Sequence, residues 1–414
     1  MNQRMPKDRL VIGAYILQPN AQTERHIKEL AECGVDMVVC LRPNDRSVLD
    51  LLQKYGVGSI VSGVLPSWWG GDGSNTGKMR ELYPISQYME AAKSFEDHPA
   101  VWGIDIADEP SALDFPYLNE IAQLVKTQFA CGFPYLNLYP SYAAVSQNNA
   151  TQTVNQLGTA TYAEHIERYL AEVDLPYISY DFYLYPQTKN HNVAKMLENF
   201  RLVADACRSS GKAFWFIPQV NDRREESECA PSLNKLRYQA YHALCYGATV
   251  LTWGCYCAGW WNHNVLDQNG EKTEQYEKLK EMNRELHAIG DAYMQYQTVS
   301  THLVGFDAEM LRDFPKLVNK DTLSVGFARD LRSDGAELVV GEMVHRTDAD
   351  RHALLICNAS DPEDEHGRIT TVSLTSTRAN VQAISGAEPI ELHRDGERIS
   401  FALPANRGVL LTFD

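Results

Sequence analysis

From the N-terminus to about Gly290 the chain alternates short β-rich runs with stretches whose apolar positions recur at helical spacing. Eight such runs stand out: Leu10 to Leu17, Val35 to Leu41, Gly58 to Leu65, Val101 to Ala107, Phe133 to Leu138, Tyr177 to Tyr183, Ala213 to Val220 and Ala248 to Tyr256. Between them lie amphipathic patterns such as TERHIKELAECG, which opens on a Thr cap, carries Glu in its first turn and stops at Gly34. SVLDLLQKYG, SQYMEAAKSFEDH, FPYLNEIAQLVKTQ, TYAEHIERYLAEV, VAKMLENFRLVADACRSSG, LNKLRYQAYHALCYG and TEQYEKLKEMNRELHAIGDAYM supply the other helices. Strand and helix in strict alternation imply parallel strands joined by right-handed crossovers, and eight strands predict a (β/α)8 TIM barrel.

After about Thr298 the period changes. GAELVVGEMVH, HALLICNAS, RITTVSLTS and GVLLTFD are short alternating strands separated by Asp, Gly, Asn and Pro turns. The pattern predicts a catalytic barrel over 1–297 and a small C-terminal antiparallel β-sandwich over 298–414. A length of 414 residues suits that division, since one barrel needs about 250.

Composition narrows the partners. A formal net charge of -16 argues against nucleic acid or an anionic membrane and favours a neutral substrate. No window approaches the apolar length of a membrane span, and the opening MNQRMPKDRLVIGAYIL reads as a charged stretch before a strand, without an export signal. Nine cysteines, scattered and odd in number, read as free thiols of a reducing, cytoplasmic compartment. Cys255 and Cys257 share a strand face, where a metal-binding or reactive pair is weighed against ordinary buried thiols. The exposed sandwich leaves room for a homo-oligomer.

Barrel enzymes work at the C-terminal ends of their strands, so the residues following each run are the candidates. The fourth run, HPAVWGIDIADEP, carries Asp105 and ends in Asp108 and Glu109 before a proline. A glycosidic oxygen leaves poorly unless protonated, and a carboxyl group with a raised pKa supplies that proton near neutrality. Glu109 is the candidate acid; the plainer alternatives are a cap for the helix starting near Ser111, or an ion pair with Arg. The sixth run, LPYISYDFYLYP, sets Asp181 among Tyr180, Tyr183 and Tyr185, a second carboxylate with aromatic hydroxyls suited to a sugar. Asp181 also admits a structural role, or one holding a sugar hydroxyl. The seventh ends in an amide, Gln219, followed by a loop with Asp222, Glu225, Glu226 and Glu228, any of which is an alternative second carboxylate if it folds over the mouth. Trp68 and Trp69 after the third strand, and Trp253, Tyr256, Trp260, Trp261 and His263 in and after the eighth, offer stacking surfaces, although each alone suits a core. Tyr15, Arg42 and Asn137 follow the first, second and fifth strands and complete a polar floor. No cofactor is expected. A metal-dependent hydrolase would want converging His ligands and a phosphate-binding barrel glycine-rich loops after strands seven and eight, neither of which this chain offers.

HPAVWGIDIADEP, SYDFYLYP and LRYQAYHALCYGATVLTWGCY together resemble the strand four, six and eight passages of clan A barrel glycosidases, particularly family 42-like barrels of a bacterial subgroup. The resemblance covers the barrel and implies that Glu109 is the acid/base; a small β-sandwich commonly follows. Two positions depart from it: Asp108 stands where such enzymes have Asn, and Gln219 where they have a nucleophilic Glu. Two functions follow as expectations, a glycosidase exo-acting on a small oligosaccharide or glycoside, and a noncatalytic carbohydrate-binding barrel that has lost its strand-seven nucleophile.

Overall fold

All eight expected strands form, and they pair in parallel. In a computed structural model of the chain, residues 4–63, 65, 68–69, 75–87, 93–143, 147–148, 153–154, 156–185, 190–222, 230–257, 262–363 and 367–414 are described. The barrel strands are β1 (Val11–Tyr15), β2 (Met37–Leu41), β3 (Gly58–Val61), β4 (Val101–Asp108), β5 (Pro134–Asn137), β6 (Tyr177–Asp181), β7 (Ala213–Ile217) and β8 (Ala248–Trp253). Each pairs with its neighbours in order, β8 returns to β1 through Val11 and Val250, and a bridge from Leu138 to Tyr180 joins β5 to β6. Helices Glu24–Glu32, Arg46–Lys54, Phe115–Gln128, Tyr162–Glu172, Asn190–Ser210 and Leu233–Cys245 provide crossovers, and Glu274–Tyr293 follows β8. Of the helix expected over 86–98, residues 88–92 lie outside the described residues, and the described remainder is a 3-10 turn, Ile85–Gln87, and turns over 93–98.

Alternation decides which side chains fill the barrel. On β6, Tyr177, Ser179 and Asp181 point inward while Ile178 and Tyr180 point to the helices, as the two-residue period requires. The inward aromatics close the N-terminal end: Tyr177 stacks on Trp215 at 4.1 Å between ring centres, with Phe133 and Tyr135 alongside.

The C-terminal region forms two sheets, one of six strands and one of five, enclosing a core that includes Leu338, Val340, Leu354, Ile356, Phe401 and Leu411. The six-stranded sheet, which starts at Tyr296–Val304, is a middle layer. Its other face, with Val339, Ala353, Leu355, Cys357 and Leu410, belongs to the barrel's core. This is why these strands read as nearly continuous apolar runs. Contact with the barrel helices is close enough to require glycine: a Cβ on Gly408 would lie 2.2 Å from the Tyr241 ring, and one on Gly341 2.6 Å from the Cys245 carbonyl oxygen.

One buried ion pair ties the last two barrel helices together under this sheet. Arg237 donates through Nε and Nη2 to Glu285, which is fully buried and also accepts from the Tyr241 hydroxyl. Removing one partner strands a charge in the core, a loss of about 3–5 kcal/mol. Glu285→Ala is therefore expected to lower unfolding free energy by about that amount in urea titration, and a change under 1 kcal/mol would show that water reaches Arg237.

Candidate active site

β4 places its acids by breaking its own alternation. Asp105 and Asp108 are three apart, a spacing that puts side chains on opposite faces of a regular strand. The register against β5 slips between Asp105 and Ala107, however, so that Asp105 opposes Tyr135 and Asp108 opposes Asn137. Such a slip, with one extra residue on β4, brings both carboxylates to the barrel interior. The chain then turns: Glu109 has φ +47°, and its backbone N–H bonds the Asn137 carbonyl oxygen at 2.8 Å. Ile16 at the end of β1 and Cys40 near the end of β2 are likewise left-handed, at +66° and +59°. Non-glycine residues held there cost about 1–3 kcal/mol each, and their clustering at one rim marks a site whose geometry is selected for something other than stability.

Asn137 wires the floor. Its Oδ1 accepts from the Ser179 hydroxyl at 2.9 Å, which fixes the amide so that Nδ2 faces two carboxylates. Nδ2 donates to Asp181 Oδ1 at 2.7 Å and to Asp108 Oδ1 at 3.3 Å. Two amide hydrogens diverging by about 120° set those oxygens roughly 5 Å apart. Tyr15 donates its hydroxyl to the other oxygen of Asp108 at 2.9 Å, and Cys40 reaches Asp105 at 3.3 Å. Arg42, exposed, lies across Gly63 and its charge acts on Asp105. Tyr183 is half-buried, facing Asp181, Cys255, Tyr142 and Asp108.

Burial and mutual repulsion dominate the electrostatics. Burial, and then the Asp108 carboxylate, push Asp105 up to about 7, against the pull of Ser62, Cys40 and Arg42. Asp108 is also raised by burial, while the Tyr15 and Asn137 hydrogen bonds hold it down. Asp105 and Asp181 are buried at 1% and 3% exposure, whereas Asp108 and Glu109 are half-buried. Tyr15→Phe removes a donor to the charged form of Asp108, so its pKa should climb further. Carbon-13 NMR of the carboxyls, or the acidic limb of a pH–rate profile, is expected to show that displacement toward higher pH.

Several expected site residues lie elsewhere. Gln219 is fully buried: its amide accepts from the Tyr185 N–H at 3.0 Å and donates to the Tyr185 carbonyl at 2.9 Å, so it braces the loop after β6 and does not face a ligand. Tyr180 points outward and stacks on Phe214 beside Phe216 and Phe200. Trp253, also outward, donates its indole N–H to Asn283 of the last barrel helix at 2.8 Å. Tyr256 is fully buried, its charge environment set by Cys33, Tyr276 and Glu29 on the helix side. These four are corrections to the sequence reading, each a core residue. Asp222 is buried and exchanges backbone hydrogen bonds with Asn262. Trp68 and Trp69 pair by backbone with Ala107 and Asp108, which sets them at the rim of β4. Trp260, Trp261, Glu225, Glu226 and Glu228 lie outside the described residues. Ser111 caps the short helical turn that follows β4, its hydroxyl accepting the Leu113 N–H, so Glu109 is not that cap. Cys255 and Cys257 are buried thiols; burial pushes Cys257 up to about 11. Ser179, Tyr135 and Cys40 join the site without having been expected; Ser179 had a signal, since it lies two residues before Asp181 on the same strand face.

A (β/α)8 barrel carrying acids at the C-terminal ends of its strands, followed by two antiparallel sheets, is the class this chain falls in by fold. No protein-family model and no curated protein matches the chain. Among solved structures it is similar to a glycoside hydrolase family 30 subfamily 8 xylanase from Clostridium acetobutylicum, at 12% identity and a TM-score of 0.47 over 98% of this chain and 96% of that one. A family 51 α-L-arabinofuranosidase from Bifidobacterium longum is similar at 11% identity and a TM-score of 0.48, over 100% and 98%. A β-galactosidase from Rahnella sp. R3 is similar at 10% and 0.47, over 98% of both chains. None of the described helices is long and apolar enough to cross a membrane.

Proposed function

We propose that the protein is a glycosidase in which Glu109 protonates the departing glycosidic oxygen. The observation that carries this reading is the rim of β4, where Asp108 and Glu109 stand consecutive and half-buried, with Asp108 joined through the Asn137 amide to the buried Asp181. Accumulated negative charge and low polarity keep a carboxyl group protonated toward neutrality, which is what an acid catalyst needs. The same charge stabilises the positive oxocarbenium character of the transition state. Asp181 contributes to that field and, with Tyr183, Tyr15 and Asn137, reads sugar hydroxyls. Trp68 and Trp69, and Trp260 and Trp261, are assigned as stacking surfaces, and Arg42 as a polar contact of the rim.

The substrate in this reading is a small neutral oligosaccharide or glycoside, cleaved from one end in the cytoplasm. Incubation with labelled oligosaccharides is expected to release monosaccharide units stepwise; early products cut at internal bonds would refute exo-action. A noncatalytic carbohydrate-binding role has one observation in its favour, the closed Gln219 amide where a nucleophile is expected. Sugar binding by calorimetry without turnover of any glycoside, and unaltered by Glu109→Gln, would establish that role instead.

A further inference from the structure

Residues 182–185 leave β6 directly after Asp181, and their tyrosines divide between two surroundings. Tyr183 belongs to the mouth: a Cβ on Gly254, at the end of β8, would meet its hydroxyl at 3.4 Å, and Asp181 and Asp108 act on its charge. Tyr185 is buried against helix Leu233–Cys245. Its hydroxyl donates to the Lys235 carbonyl oxygen at 3.1 Å, and the Lys235 ammonium lies over its ring, 5.0 Å from the centre. The Gln219 amide that brackets the Tyr185 backbone is tied to the same helix, since the Gln219 N–H donates to Gln239 at 2.9 Å and the Gln239 amide returns a bond to the Gln219 carbonyl at 3.0 Å. A cation is disfavoured in the first turn of a helix, where the peptide dipoles present their positive end. Lys235 stands in that turn, three residues after the Ser232 cap, and no acid shares it. Its counter-charge comes from the C-terminal region: Glu363, in the turn after strand His352–Asn358 of the six-stranded sheet, approaches the ammonium at 2.8 Å. With 19% and 43% exposure the pair adds little to stability, which leaves its position against the helix dipole unexplained by folding alone. The contacts run unbroken from Glu363 to Lys235 to Tyr185, and from there along two residues of backbone to Tyr183.

Resting on the glycosidase reading, we infer that Lys235 and Glu363 are positioning residues, through which the C-terminal region holds residues 182–185 against the barrel and keeps Tyr183 at the carboxylates of the mouth. Neither residue touches substrate; both act through Tyr185. Breaking the pair takes the counter-charge from the ammonium and loosens its hold on the Tyr185 ring, so that the segment spends part of its time with Tyr183 turned from Asp181. Substrate then binds only the molecules whose segment is in place, and apparent affinity falls by that fraction. Chemistry in the bound state is unaltered, because the bound state has Tyr183 in position.

The test uses charge reversals in the full chain. Glu363→Lys and Lys235→Glu each bring like charges together and are expected to raise KM about 3- to 10-fold with kcat changed by less than about twofold. The double exchange, which restores an opposite pair, should recover most of that loss. Amide hydrogen exchange reads the same event without substrate. The Tyr185 N–H, bonded to Gln219, should exchange about 3- to 10-fold faster in either single variant and near the parent rate in the double, while Val250 in β8 and Leu355 in the six-stranded sheet keep their protection. Single reversals that leave both KM and Tyr185 exchange unmoved, or losses that add in the double variant, would overturn the inference. Exchange that quickens equally at Val250 and Leu355 would also overturn it, by showing a pair that serves only the stability of the fold. If the parent turns over no glycoside, the glycosidase reading fails, and the exchange rates alone decide whether the C-terminal region holds this segment.

Discussion

Glu109→Gln is expected to lower kcat/KM by roughly 100- to 10,000-fold on glycosides with alkyl or sugar leaving groups, the range that general acid catalysis supplies. The loss should shrink to a few fold for 2,4-dinitrophenyl glycosides, whose leaving group departs without a proton. This contrast between leaving groups separates a lost proton donor from a damaged site, because misfolding would depress both substrates alike. Binding of substrate should be little altered, since a glutamine side chain keeps the shape of the acid it replaces. The backbone supplies a second check. Glu109 is held at φ +47°, where glycine is unstrained, so Glu109→Gly should abolish turnover while raising stability by about 1 kcal/mol. A variant that gains stability and loses all activity identifies a residue retained for chemistry. Full activity in Glu109→Gln on a poor leaving group would end its assignment as the acid.

Asp105→Asn is expected to stabilise the fold, and by more as pH rises. Burial, then Asp108, lifts the folded pKa of Asp105 from 3.8 to about 7. Between those values the folded state holds a proton that the unfolded state has lost, so stability falls as pH increases through the interval. Below 3.8 the group is protonated in both states and costs nothing; above about 7 it is a buried charge only partly offset by Ser62, Cys40 and Arg42, a penalty on the order of 4 kcal/mol. Asparagine carries no such penalty. Urea denaturation at pH 4 should find the variant and the parent within about 1 kcal/mol, and at pH 8 the variant more stable by a few kcal/mol. Equal stability at both pH values would show that Asp105 ionises normally. The same experiment bears on function, because a neutral residue at 105 removes one of the two influences raising charge density beneath Asp108 and Glu109.

Much of the polar floor was legible because alternation along a strand is a steric rule. Asp181 and Tyr180 are adjacent on β6, so only one of them faces the interior; reading both as ligands to one sugar ignored the period of two. Trp253 on β8 was misplaced for the same reason, and it serves the seam between strand and helix through its bond to Asn283. Asn137 was placed correctly by its position at the end of β5, yet its task, holding Asp108 and Asp181 through one nitrogen, depends on the Ser179 hydroxyl that orients its amide. That orientation is a hydrogen-bond choice between elements more than forty residues apart, and no local pattern encodes it. Gln219 shows the opposite failure: its residue type and position invited a functional reading, and its two bonds to the Tyr185 backbone make it a strut.

By itself the sequence determined the alternation of eight strands with helices, the change of period near residue 300, and the presence of consecutive acids at the end of the fourth strand. These follow from local physics, since the apolar period selects strand or helix and a proline after Glu109 ends the extended run. The tertiary structure alone decided which acids share a cavity. A one-residue slip between β4 and β5 turns Asp105 and Asp108 to the same side, left-handed turns at Ile16, Cys40 and Glu109 shape the rim, and the docked sheet buries Glu285 against Arg237. Each of these is set by the fit between distant segments, where the cost of a slip, a strained turn or a buried charge is met by contacts that exist only once the barrel has closed.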